Sequence, residues 1–337
     1  MEIFHWRALA GDQYALDDRK TLPKKPLPGV HQLWIGRTLV PDLAMFPNLR
    51  SILFRATPSE RLPDLFRQAA KLPHLHSMEL DAVDMPALPD ELLLVKRLRW
   101  LEVTGSNLEV LPPWIGKMKI QALNLEHSAV TSLPDEVATW PLKALTIGCY
   151  EFYDKKLERL PASFEQWTKL AYLYTYETKL PAAEREALLR LPSIRHLGLS
   201  HQEVYPFLGE LRHLKSLSLE HAPCSALPDF LGELVNLELF RVAMTPVADV
   251  PTWLPKLKRL RRFEAFSGIE MDVSALVDVV LQLPKLDELH LPETAPKPAR
   301  KKLLTAGFEQ DRGNPYWWTR GTPTVRYVRH GSPFPHR

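Results

Sequence analysis

The amino-acid sequence predicts an α/β solenoid. It should have a curved parallel β-sheet on its concave face, short helices or 3-10 turns on its convex face, and a cap at each end. Three observations predict this. The pattern apolar-x-x-apolar-x-apolar starts at Val30, Leu49, Leu75, Leu98, Ile120, Leu142, Leu170, Ile194, Leu214, Leu237, Leu260 and Leu286, at intervals of 19 to 28 residues. Self-similarity at such a period marks a repeat architecture. Within each copy the last four residues alternate in and out, as a short half-buried strand does. Finally, many of the 31 prolines share one context, Leu-Pro before an apolar-rich stretch, as in "LPDEL" at 88, "LPPWI" at 111, "LPDEV" at 133 and "LPDFL" at 227.

Taken in order, residues 1–29 are expected to form an N-terminal cap. "EIFHWRALA" and "QYALDDRK" flank Gly11-Asp12 and read as a β-hairpin. Residues 30–296 are the array of about twelve repeats. In "LKSLSL", Leu214, Leu217 and Leu219 should point inward while Ser216 and Ser218 point outward. The Leu-Pro proline suits the first position of a helical turn, where a missing N–H costs nothing. One repeat cannot bury its own apolar face, but stacked neighbours can. The repeat that begins at Leu142 is long, with an insertion at "CYEFYDKK" (149–156). Residues 297–337 are basic at their start and aromatic at "YWWT". A helix and a strand pair there should close the far end.

These residues resemble leucine-rich repeat proteins of the class that carries Leu-Pro-x-x-(Leu/Ile)-x-x-Leu before the strand. The resemblance spans roughly residues 30–292. It implies a non-catalytic module that binds other proteins. That family usually places Asn at the ninth repeat position, where it forms a ladder of backbone hydrogen bonds. Here the position reads Ser106, Ser128, Gln202, Ala222, Thr245 and Gly268, which predicts uneven repeats.

Composition narrows the function. The chain is 45% hydrophobic and 25% charged, ample for a core in a soluble protein. A net charge of +3 is too small to argue for nucleic acid. Two cysteines, Cys149 and Cys224, exclude a disulfide framework and suit a reducing, cytoplasmic compartment. No signal peptide and no membrane span are expected, and no membrane partner. There is no phosphate-binding loop, nucleophile elbow or His-Glu-x-x-His motif, so neither enzyme activity nor a cofactor is predicted. His127, His201 and His221 share the eighth repeat position, but their spacing favours turn-capping or solvated roles over a metal site. "KLKRLRRF" (256–263) reads as a solvated basic face.

The concave face is the expected partner-binding surface. Its outward positions give Trp100, Glu102, Asn124 and Glu126, then a ridge of Tyr172, Tyr174 and Tyr176 beside His196, then Arg241 and Arg262. The insertion adds Tyr150, Phe152 and Tyr153. Tyrosine offers large contact area at low entropy cost; the competing reading is simple β-propensity. The expected partner is a protein or peptide, with a monomer as the simpler state. Two other readings are the substrate-recognition part of an effector-type protein and a receptor for a small ligand beside the tyrosines.

Overall fold

The structure is a computed structural model, and it describes residues 13–16, 22–37, 41–149, 156–266, 268–311 and 313–320. The chain divides into two units. Unit 1 comprises residues 1–170 and 178–191, and unit 2 comprises residues 171–177 and 192–337. Each unit is a run of leucine-rich repeats in which a short strand alternates with a helical turn.

The strands of unit 1 are β1 (Gln13–Leu16), β2 (Gln32–Ile35), β3 (Ser51–Arg55), β4 (Ser77–Asp81), β5 (Trp100–Thr104), β6 (Ala122–Asn124) and β7 (Ala144–Ile147). Each lies parallel to the one before it. Strand β1 therefore precedes those that the twelve-fold pattern predicts. The other half of the predicted hairpin lies outside the described residues. So do Tyr150, Phe152 and Tyr153.

Two segments of unit 1 are α-helices, α1 (Leu62–Ala69) and α2 (Ala182–Leu189). Helix α1 buries Leu62, Leu65, Phe66 and Ala69, the i, i+3, i+4, i+7 stripe of a one-sided helix. Shorter repeats have room only for 3-10 turns.

In unit 2, β8 (Tyr172–Thr175), β9 (His196–Ser200), β10 (Ser216–Glu220), β11 (Leu239–Ala243), β12 (Arg262–Ala265) and β13 (Glu288–His290) run parallel. Helix α3 (Val273–Val280) starts at Asp272, whose carboxylate accepts from the Ala275 amide at 2.6 Å. After helix α4 (Lys297–Thr305), β14 (Glu309–Gln310) and β15 (Trp317–Thr319) form an antiparallel pair, and β15 pairs with β13. Ala299, Leu303, Phe308 and Trp318 are buried there. The closing strand reverses direction, so the sheet edge of β13 is paired rather than left open.

The alternation follows the sequence. Leu217 and Leu219 are fully buried while Ser216 and Glu220 are half-buried on the other face; Ser218, expected outward with them, is only 7% exposed. That other face, turned away from the leucine core, is called the open face below.

Three local details refine the sequence expectations. In the Leu-Pro turns, Pro89, Pro112, Pro134 and Pro228 stand one place before the helical turn, with ψ of 139–150°. Each is the N-cap, and its carbonyl accepts the first turn bond, as Leu92 N–H to Pro89 at 3.1 Å. Proline serves because its fixed φ suits the extended backbone there and no N–H is needed.

Directly after the strands the chain turns through the left-handed region at Ala56, Ala82, Gly105, His127, His201, His221 and Met244. His127, His201 and His221 hold φ of 56°, 55° and 48°. Their common eighth position thus reflects a backbone turn, for a cost of about 1–2 kcal/mol each.

At the ninth position polar side chains take over backbone groups. Gln202 Nε2 donates to the carbonyls of Thr175 (3.0 Å) and Tyr176 (2.7 Å), and Thr245 Oγ1 donates to Ala243 and accepts from Ala222 N–H.

Candidate functional site

On the open face of unit 1, strand register places Trp34, Leu53, Glu79, Glu102, Asn124 and Thr146 in one row across β2 to β7. Glu79 and Glu102 are direct cross-strand neighbours, about 4.8 Å apart in backbone terms. Asp81 and Glu126 stand two residues further along their own chains. The result is a group of carboxylates on one half-buried surface.

Its electrostatics follow from that crowding. Burial, then the charges of Glu102 and Asp81, hold Glu79 well above the ordinary carboxylate range. Burial raises Glu102 to about 7, against a hydrogen bond from Asn124 Nδ2 at 3.2 Å. Burial also raises Asp81, and Arg55 opposes it.

Arg55 shows how this face treats a cation. Its guanidinium stands 3.3 Å from the Asp81 carboxylate and 6.0 Å over the ring of Trp34. Trp100 presents a second half-buried ring beside Glu102 and lies edge-on to His76 at 5.0 Å. Asn124, expected outward, is only 2% exposed. Its amide is spent internally: Oδ1 accepts from Glu126 N–H at 2.9 Å. Glu126 meets His127 at 3.1 Å.

The open face of unit 2 is built differently. Tyr174 lies flat across β9, because residue 198 is glycine; a Cβ there would stand 2.0 Å from Tyr174 Cδ2. Its hydroxyl passes over β9 and donates to Glu220 Oε2 on β10 at 2.7 Å. From Glu220 on β10 opposite charges follow one another across β11, β12 and β13, with Arg262 and Glu264 both on β12. Arg241 meets Glu220 at 3.2 Å and Glu264 at 3.6 Å. Arg262 meets Glu264 closely and Glu288 at 3.0 Å. Arg241 also lies over Phe266 and Arg262 over Trp317.

Tyr174, Tyr176 and Arg262, expected to be open to a partner, are engaged within the protein. Tyr176 is 3% exposed, packed against Tyr174 at 5.0 Å between centroids. Arg262 is 6% exposed, held between two carboxylates and an indole. Tyr174 is an internal bridge rather than a free anchor. Tyr172 remains half-buried and stacks on His196 at 4.2 Å and 6°. Burial, and then Lys215, lower His196 to about 4, so the ring it stacks on is neutral near pH 7.

From the sequence, Glu79, Glu220 and Glu264 fall at outward positions of the open faces but are not among the expected partner-binding residues, and Glu288 is not anticipated at all. The signal was available: Arg241 and Glu264 fill equivalent places in adjacent repeats, as do Arg262 and Glu288. Among the described residues no group of three or more His, Cys, Asp and Glu could hold a metal ion.

No known family model matches this sequence, and no curated protein matches it. Several solved structures are similar in backbone. A leucine-rich-repeat protein of Leptospira interrogans is 21% identical, with 77% of this chain and 72% of that chain covered and a TM-score of 0.49. The leucine-rich repeat domain of the type III effector XopL is 18% identical, covering 67% and 78%, with a TM-score of 0.45. An internalin from Listeria monocytogenes is 15% identical, covering 77% and 66%, at 0.40. The leucine-rich-repeat architecture stands on the repeating strand, turn and register described above.

Proposed function

We propose that this chain is a non-catalytic interaction module, and that the open face of unit 1 takes cationic side chains of a protein or peptide partner. The observation that carries this is Arg55, seated between the Trp34 ring and the Asp81 carboxylate. Trp100 with Glu79 and Glu102 repeats that combination of ring and carboxylate. The charge acting on Glu102 comes from Glu126, another carboxylate. An arriving Lys or Arg would supply the missing counter-charge, and an aromatic face beside it adds about 0.5–2 kcal/mol. In unit 2 the open-face charges are already matched to one another, which leaves the half-buried Tyr172–His196 stack as an uncharged contact for a partner.

The test is partner capture from lysate by full-length protein, read by mass spectrometry, followed by variants. Trp100→Ala with Glu102→Gln should keep the fold by circular dichroism and lose the captured partner. If that variant captures normally while Tyr172→Ala does not, the binding surface is the open face of unit 2.

A further inference from the structure

The turns that lead into the strands of unit 1 form a rim with an unusual charge. Residues 45–50, 70–76, 93–99, 116–121 and 138–143 contain eight Lys and Arg and no Asp or Glu. The arginines are Arg50, Arg97 and Arg99; the lysines are Lys71, Lys96, Lys117, Lys119 and Lys143. All but half-buried Arg99 are exposed. Among the described residues none of the eight forms an ion pair.

The rim is level and firmly built. Register aligns Ser51, Ser77, Trp100, Ala122 and Ala144 without stagger. One place earlier the ladder continues, with Arg99 N–H donating to His76 at 2.8 Å, Gln121 to Arg99 at 2.7 Å and Lys143 to Gln121 at 2.7 Å. Four strand steps make the rim about 19 Å long.

The equivalent turns of unit 2 show that this charge is not a requirement of the fold. There Arg212 pairs with Glu233 at 2.9 Å, Lys215 with Glu238 at 3.1 Å, and Arg261 with Asp287 at 2.7 Å.

We infer that the leading rim of unit 1 docks on an anionic lipid surface. No helix among the described residues is long and apolar enough to cross a membrane, and a surface contact needs none. Three features favour a bilayer over a nucleic acid. Arg97 and Arg99 turn guanidinium nitrogens back to the carbonyls of Pro73 and Leu98, at 2.6 and 2.7 Å. The reaching charges are therefore mainly lysines, which are flexible point charges suited to a diffuse anionic plane rather than to bidentate recognition. Leu94, at the repeat place that Lys71 fills one turn earlier, is 48% exposed amid the cations. It can enter the headgroup layer, as apolar side chains of peripheral binders do. The Phe and Trp of these turns, Phe46 and Trp140, are buried, which leaves base stacking only His74, half-buried His76 and the half-buried Trp100 ring that His76 packs against.

The experiment is co-sedimentation of the full-length chain at physiological ionic strength. The probes are phosphatidylcholine vesicles with about 30% phosphatidylserine, and vesicles of phosphatidylcholine alone. Sedimentation should require the anionic lipid and weaken with added salt. The variant Lys96→Gln/Lys117→Gln/Lys119→Gln should bind more than about tenfold less well, with unchanged circular dichroism. Should it misfold, Lys71→Gln/Lys143→Gln gives the same reading with separated substitutions. Lys258→Gln/Arg259→Gln in unit 2 should change binding less than about twofold. No binding to the anionic vesicles, equal loss in the two sets of variants, or tighter binding of a short DNA duplex than of vesicles would each overturn the inference.

Discussion

The open faces of the two units share a backbone and differ in how they handle charge. In unit 1 carboxylates face carboxylates across the strands, Glu79 beside Glu102, and burial makes both reluctant to ionise. In unit 2 each carboxylate faces a guanidinium, from Glu220 through Arg241, Glu264 and Arg262 to Glu288. The same lattice of positions can thus hold its charge internally or offer it outward. A face whose charges are matched gains rigidity and has little left for a partner. A face with like charges crowded together stays higher in energy until a counter-charge arrives.

The largest expected effect tests the matched ladder. Glu264 is fully buried between Arg241 and Arg262. Glu264→Ala should lower unfolding free energy by about 3–5 kcal/mol in urea titrations, because two guanidiniums lose a buried partner. A loss under about 1 kcal/mol would mean that water replaces the carboxylate and the ladder is not structural.

Next comes the bridge over β9. Gly198→Ala would force the Tyr174 ring off the strand and should cost about 1–3 kcal/mol. In the Gly198→Ala/Tyr174→Ala pair the second substitution should recover part of that loss. Simple additivity in a double-mutant cycle would break the claim that the ring lies on the glycine.

The crowded face of unit 1 should show in the pH dependence. Glu102 is raised in the folded state, so the native protein holds a proton there that the unfolded chain has released. Its stabilising effect is complete below the ordinary carboxylate value of 4.5 and is lost as pH rises through about 7. Stability measured between these values should fall with increasing pH. Glu102→Gln should flatten that slope and make the protein more stable than the parent at pH 8. An unchanged slope would show that the crowding is relieved in solution.

The smallest effects belong to the two half-buried rings. Trp100 against His76 and Tyr172 against His196 are corresponding aromatic contacts in the two units. Trp100→Ala and Tyr172→Ala should each shift stability by only about 0.5–1.5 kcal/mol. Their effects on partner capture should diverge, with Trp100 the more damaging.

The sequence by itself determined the repeat, its period, the strands and the inward set. Leucine spacing and alternation report burial directly, and Leu217, Leu219 and Leu173 lie where that pattern puts them. Within a strand the period of two also set which residues turn away from the leucines, as at Tyr172 and Tyr174, but not where the strand ends: Tyr176 lies beyond β8 and is buried. What only the tertiary structure decided is what those outward residues do. Tyr174 and Arg262 occupy outward positions, yet one bridges to Glu220 and the other is enclosed by Glu264, Glu288 and Trp317. Except for Glu264, two residues along on β12 itself, those partners come from other strands and from the closing segment, 26 to 55 positions away along the chain. Pattern within one strand reports the direction of a side chain. Exposure depends on what neighbouring strands place over it, and that is fixed only when register aligns one repeat with the next.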